Sequence, residues 1–168
     1  VISYFTHLTN LVNTDKIEGV INLTPSYNKL IISFDLTVTN FSKLKKIIEN
    51  INFENYLKKD NKKIEIPVCC EEGLSLDFKR LSGLTDKTKS EILDYFFSKE
   101  YFCYMTGFIA GMPFLGDVSK EIRCERLETP RVKVPRGSIG LTDQFANIYT
   151  SESPGGWNII GNTPLNIF

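Results

Sequence analysis

The residues with chemistry to offer gather toward the C-terminal end of this 168-residue chain. The turn Ser153-Pro154-Gly155-Gly156-Trp157 sets two glycines beside a proline, so the backbone can approach a ligand or partner closely, and Trp157 adds a broad apolar face with one N–H donor. The same residues also suit a tight corner whose tryptophan fills a core. Arg131, directly after Pro130, could present a two-pronged guanidinium to a carboxylate or phosphate, or close a salt bridge with Glu128 or Glu152. Glu152 is the acidic residue beside the turn and a candidate general base; with Arg131 it makes up the catalytic candidates. Gly107, Gly111 and Gly116 around Met112-Pro113-Phe114 could line a pocket with amides, although their order matches neither a phosphate-binding loop nor a dinucleotide fingerprint. A substrate- or partner-binding surface is therefore expected at Met105, Phe108, Gly111, Phe114, Arg131, Phe145, Tyr149, Ser153, Pro154, Gly155, Gly156 and Trp157. The single histidine, His7, excludes a multi-histidine metal site, and it lies far in sequence from the glycine-rich region, which disfavours a Ser-His-Asp or Cys-His arrangement.

These residues need a scaffold that bends often. Most glycines and prolines of the chain fall in residues 104–168, interleaved with short β-branched and aromatic runs, a pattern of small closed or nearly closed β structure. Ahead of it, residues 1–14 carry the apolar face of a helix, with Val1, Tyr4, Phe5, Leu8, Leu11 and Val12. Residues 20–34 read as a hairpin turning at Pro25-Ser26-Tyr27-Asn28, and a second helix presents Leu44, Ile47, Ile48 and Ile51 behind a cap at Asn40 or Ser42. Helix, hairpin and helix make most of a small α+β sandwich over residues 1–60, one strand short at its start. Lys58-Lys59-Asp60-Asn61-Lys62-Lys63 reads as a solvated linker. Ile64 to Val68 alternate like a strand. Ser75 is placed to cap a helix through Leu76, Phe78 and Leu81 that Gly83 would end, and Thr85 to cap another burying Ile92, Leu93 and Phe96. Residues 101–105 read as a buried aromatic strand.

Basic and acidic side chains balance at zero net charge, so no overall field draws the chain to nucleic acid or to an anionic membrane. No apolar run approaches the ~18 residues that span a bilayer. Cys69, Cys70, Cys103 and Cys124 form no CxxC pair and no secretory signal precedes them, which favours free thiols in a reducing cytoplasm over a disulfide pair. The chain opens on Val1 and stops inside the apolar run Leu165-Asn166-Ile167-Phe168, which suggests part of a longer protein.

Three ordered segments resemble one family. They are Tyr104-Met105 with Gly107-Phe108, Gly111 and Pro113-Phe114-Leu115-Gly116; Thr129-Pro130-Arg131 with Pro135, Gly137-Ser138-Ile139-Gly140; and Ile148-Tyr149 with Ser153-Pro154-Gly155-Gly156-Trp157, Ile160-Gly161 and Thr163-Pro164. The chain is similar in these to the 5-oxoprolinase B-subunit family, also described as allophanate hydrolase subunit 1 or carboxyltransferase domain C/D, whose regulatory branch inhibits a sporulation histidine kinase. The resemblance implies an α+β protein: a small α/β N-terminal domain, here incomplete, then a cyclophilin-like β-barrel over residues 63–168. It further implies a non-autonomous subunit of an ATP-dependent amidohydrolase. The expected partners are a sister barrel subunit, of the 5-oxoprolinase C-subunit or allophanate hydrolase subunit 2 type, and a lactam-utilisation subunit. No cofactor is expected to bind tightly to this subunit, and ATP would act at the level of the complex. Inhibition of a histidine kinase and an allophanate hydrolase or urea amidolyase role are the alternatives. The chain departs from the family pattern at Phe96, where members carry a histidine, at Phe145 or Gln144, where they carry a glutamine, and at Ala110 and Met112. Those changes add apolar surface, and an apolar pocket enriched by Phe96 and Phe145 would suit the kinase alternative.

Overall fold

Apolar side chains recurring every three or four residues shape the first of two units, Val1–Lys63 and Ile64–Phe168. The computed structural model describes residues 2–13, 17–51 and 62–168; the expected roles of Val1 and of Lys58, Lys59, Asp60 and Asn61 lie outside those residues, as does the side chain of Tyr4. Helix α1 (Ile2–Asn13) buries Leu8, and helix α2 (Phe41–Glu49) buries Leu44. Between them strands β1 (Val20–Ser26) and β2 (Lys29–Phe34) pair antiparallel, with Leu23 opposite Ile32. Leu8, Ile17 and Leu44 form the core of this unit, joined by Leu11, Val12, Ile32 and Ile48. The Asn40 side chain accepts from the Lys43 N–H at 3.0 Å, so Asn40 rather than Ser42 is the cap. The turn is tighter than expected: Pro25 and Ser26 stay in β1, and Tyr27 takes the bend at φ 38°.

In the second unit the expected strand at 64–68 is absent. Pro67 has no N–H to give a ladder, and pairing starts only at Cys69, which exchanges two backbone hydrogen bonds with Asn162. Helix α3 (Phe78–Thr85) follows Asp77, not Ser75, whose hydroxyl donates to the Cys70 and Glu71 carbonyls. Gly83 lies inside α3, and Asp86 takes the left-handed exit at φ 54°. Helix α4 (Lys89–Phe97) is capped by Thr88 rather than Thr85. Thr88 accepts from the Glu91 N–H while the Glu91 carboxylate accepts from the Thr88 N–H, and the Thr85 hydroxyl is already spent on the Leu81 carbonyl.

The remaining strands are β3 (Phe102–Thr106), β4 (Pro113–Gly116), β5 (Arg131–Val134), β6 (Ser138–Thr142), β7 (Phe145–Ile148), β8 (Ser153–Gly155) and β9 (Asn158–Asn162). Five of them form an antiparallel sheet in the order β3-β4-β7-β6-β9, and β5 and β8 form a separate two-stranded ribbon. The α+β class stands. The barrel, however, is open among the described residues, with β3 and β9 as the sheet's two edges. As an edge, β3 leaves Phe102 and Cys103 exposed, so it is not the buried strand its composition suggested.

Both faces of the sheet are covered, which explains why β6 is buried from Ser138 to Leu141. One face puts Ile139, Leu141, Ala146, Ile148 and Ile160 against Phe78 and Leu81 of α3 and Ile92 and Phe96 of α4. Met112, Tyr149 and Ile159 form a second, smaller core with Val134 of the ribbon. Among the described residues no helix is long and apolar enough to cross a membrane.

Candidate functional site

Above that smaller core the chain leaves a cleft of ≈ 320 Å³. Phe108, Met112, Phe114, Pro130, Pro154 and Trp157 give it apolar walls, Gly155 and Gly156 contribute backbone, and Tyr149 and Arg126 complete the lining. Two glycines make this geometry possible. At Gly155 an added Cβ would collide with the Tyr149 hydroxyl oxygen, so only a residue without one lets β8 close over the phenol. At Gly140 it would collide with Asn147 Oδ1 and meet Trp157 Cβ at 3.0 Å, so β6 lies directly beneath the tryptophan. The Trp157 ring stands edge-on to Phe114 with centroids 5.6 Å apart, and Phe114 in turn meets Phe145 at 6.4 Å.

The 107–112 loop is fixed by main-chain bonds. Gly107 N–H donates to the Met112 carbonyl at 3.1 Å, Met112 N–H to the Ile109 carbonyl at 3.2 Å, and the Thr150 hydroxyl to the Ala110 carbonyl at 2.6 Å. Phe108 adopts a left-handed backbone (φ 69°) at its tip and is 70% exposed, an unusual cost for a bulky residue and one that places an aromatic ring at the cleft. The opposite wall is fastened as well: Leu127 N–H donates to the Gly156 carbonyl at 2.7 Å, and Arg80 donates to the Glu125 carbonyl at 3.2 Å.

Arg131 is engaged within the fold through one of its two terminal nitrogens. Its Nη2 donates to Asp77 Oδ1 at 2.6 Å, while Asp77 Oδ2 accepts the Ile159 N–H at 2.6 Å. The partner is Asp77 rather than Glu128 or Glu152, because Arg131 sits on β5 pointing toward the start of α3. Glu152 instead pairs with Lys133 at 3.0 Å, both well exposed, a weak surface pair. Below the cleft, the Tyr149 hydroxyl is hydrogen-bonded by the Asn147 side chain and the Trp157 backbone; burial outweighs them and pushes its pKa up, so the phenol stays protonated at neutral pH. Arg131 Nη1, Asn147 Oδ1 and Ser153 Oγ are buried side-chain atoms without a hydrogen-bond partner among the described residues.

Of the residues expected at the site, the structure brings Phe108, Phe114, Tyr149, Pro154, Gly155, Gly156 and Trp157 to the cleft. Met105 pairs with Phe114 from the edge strand, Phe145 supports Phe114, Gly111 (φ 69°) packs against the Phe168 ring, and Ser153 is buried opposite Val134. Phe96 lies in the larger core, stacked on Tyr101, and adds nothing to the cleft. His7 sits on α1, in the other unit, and no group of three or more metal-ligating side chains is found among the described residues. Sequence reasoning missed three lining residues. Met112 and Pro130 stood inside quoted motifs, whereas Arg126 lies in Cys124-Glu125-Arg126-Leu127-Glu128, where nothing local marks one charge above its neighbours.

Comparison with known proteins gives a consistent picture. The family described as "Carboxyltransferase domain, subdomain C and D" matches residues 2–168. Over 105 residues, 62% of this chain, it is 38% identical to the 5-oxoprolinase B-subunit of Bacillus subtilis (strain 168), and over 105 residues 36% identical to the 5-oxoprolinase B-subunit of Haemophilus influenzae. Those matches span 44% and 49% of the two relatives, so the chain spans about half the length of the curated relatives it matches. Among solved structures, TTHA0988 superposes with a TM-score of 0.79 over 98% of this chain and 32% of its own, at 22% identity. The Kluyveromyces lactis urea carboxylase superposes with a TM-score of 0.71 over 95% of this chain and 16% of its own, at 17% identity. These two likenesses concern the fold.

Proposed function

Since the chain belongs to the carboxyltransferase-domain family of subdomains C and D, we propose that it is part of a non-autonomous subunit of an ATP-dependent amidohydrolase of the 5-oxoprolinase type. The observation that carries this reading is the identity of 36–38% to two proteins named as the B-subunit of 5-oxoprolinase. The cleft beside Trp157 supports it: it has the size of a small-molecule site, at the lower end of the ~300–1,000 Å³ common for such sites, with apolar walls and few polar groups. The protein acts with a sister barrel subunit and a lactam-utilisation subunit. ATP is handled by the complex rather than by this cleft, whose lining carries one cation, Arg126, among the described residues. The setting is cytoplasmic, in keeping with four free thiols.

The test is reconstitution. The full-length protein, co-expressed with its sister and lactam-utilisation partners, releases glutamate from 5-oxoproline only when ATP is present. A silent mixture, with both partners active beside a competent counterpart of this protein from another source, overturns the reading.

A further inference from the structure

We propose that the cleft beside Trp157 receives a compact monocarboxylate with an apolar body, and that Arg126 is the residue that reads its carboxylate. The inference rests on the reading of this cleft as a small-molecule site and adds to it the residue that recognises the ligand's charge.

The argument begins with charge. Among the described residues, Arg126 is the one cation in the lining, and no carboxylate lines the cleft. No described residue engages the Arg126 guanidinium in a hydrogen bond or ion pair, and the residue is exposed, so its donors are available. Arg131, the more obvious anion partner from its place after Pro130, is neutralised by Asp77 at 2.6 Å and does not line the cleft. The lining therefore offers a single positive charge, which complements a monoanion. A phosphate dianion ordinarily draws a second cation or a cradle of backbone N–H groups, whereas one planar guanidinium matches one carboxylate through two parallel hydrogen bonds.

Position supports the same assignment. The main chain that carries Arg126 is held on both sides, by Leu127 N–H to the Gly156 carbonyl at 2.7 Å and by Arg80 to the Glu125 and Arg126 carbonyls at 3.2 and 3.5 Å. The side chain thus extends from a fixed base on the wall that Gly156 shares. The same lining includes the edge-to-face pair Phe114 and Trp157, with Met112 and Pro154, surfaces suited to a small saturated ring and unsuited to a second charge. At ≈ 320 Å³ the space admits a ring-sized acid.

Titration calorimetry on the full-length protein, purified with its sister barrel partner, tests the inference with four probes: 5-oxoproline, cyclopentanecarboxylate, the neutral lactam 2-pyrrolidinone and the dianion succinate. The wild type binds at least one of the two monoacids about tenfold or more tightly than 2-pyrrolidinone and succinate, and Arg126→Gln abolishes that preference while leaving 2-pyrrolidinone binding and the thermal midpoint unchanged. Arg126→Lys restores part of it. Monoacids that bind Arg126→Gln as tightly as wild type, or that bind wild type no better than the neutral lactam, overturn the inference. Arg126-dependent binding of cyclopentanecarboxylate without binding of 5-oxoproline supports it and counts against 5-oxoproline as the substrate. Unchanged KM for 5-oxoproline in a reconstituted Arg126→Gln complex overturns the inference and leaves the amidohydrolase reading intact.

Discussion

Asp77 holds Arg131 at 2.6 Å with one carboxylate oxygen and the Ile159 N–H at 2.6 Å with the other. A single side chain just ahead of α3 therefore joins the ribbon strand β5 to the sheet strand β9. Asp77 is buried and Arg131 largely so, which makes the loss of the acid costly: the guanidinium and one amide are left without an acceptor. Asp77→Ala is expected to destabilise the protein by about 3 kcal/mol in urea unfolding. Asp77→Asn, which keeps one acceptor, is expected to cost less. Equal stability of Asp77→Ala and wild type would show that the pair contributes nothing.

Gly155 and Tyr149 are matched by contact. A methyl at 155 would collide with the phenol oxygen and sit 2.8 Å from the ring carbon that bears it. Gly155→Ala should cost about 1–3 kcal/mol by crowding. Removing the hydroxyl with Tyr149→Phe relieves part of that clash, so the double variant should be more stable than the sum of the single changes predicts. Strict additivity in the four melting curves would refute the contact.

Phe114 and Trp157 meet edge to face at 5.6 Å, with their planes at 81°. A double-mutant cycle with Phe114→Leu and Trp157→Leu should return a coupling of about 0.5–1.5 kcal/mol beyond lost area. The Trp157 emission, the only tryptophan signal from these 168 residues, should shift to the red in Phe114→Leu as water gains the ring. No shift and no coupling would mean that the two rings do not meet in solution.

Cys124 is buried, receives the Asn158 amide at 3.1 Å, and is pushed by burial from its ordinary value of 9.0 to about 11. Because the folded pKa is the higher one, this thiol's contribution to stability is complete below pH 9 and is lost as the pH climbs toward 11. At pH 8 iodoacetamide should label Cys124 only at the rate of unfolding, and Cys124→Ala should flatten the stability profile between pH 9 and 11. Rapid labelling of the native protein would contradict this placement.

How far the sequence could be read depended on whether a signal was local. The Asn40 cap and the Leu44 and Ile48 face of α2 were legible because one helix turn contains both cap and pattern. The α4 start slipped from Thr85 to Thr88: either threonine can cap, and the choice was settled by Glu91 three residues on. The Trp157 corner was legible from its glycines and proline. The Asp77–Arg131 pair was not, since 54 residues separate its partners and no spacing rule reaches across them. Arg126 escaped for a similar reason, being distinguished by what surrounds it in the fold and not by its neighbours in the chain. The alternation at 64–68 misled because side-chain pattern alone does not register a missing N–H at Pro67.

The bond from Leu127 to Gly156 has one more consequence. Since Gly155 also pairs with Arg131 across the ribbon, the main chain at Gly155 and Gly156, on which Trp157 follows, is tied by peptide groups to two other segments. Substitutions along the walls can then reshape the space and its chemistry while the backbone that carries them keeps its place.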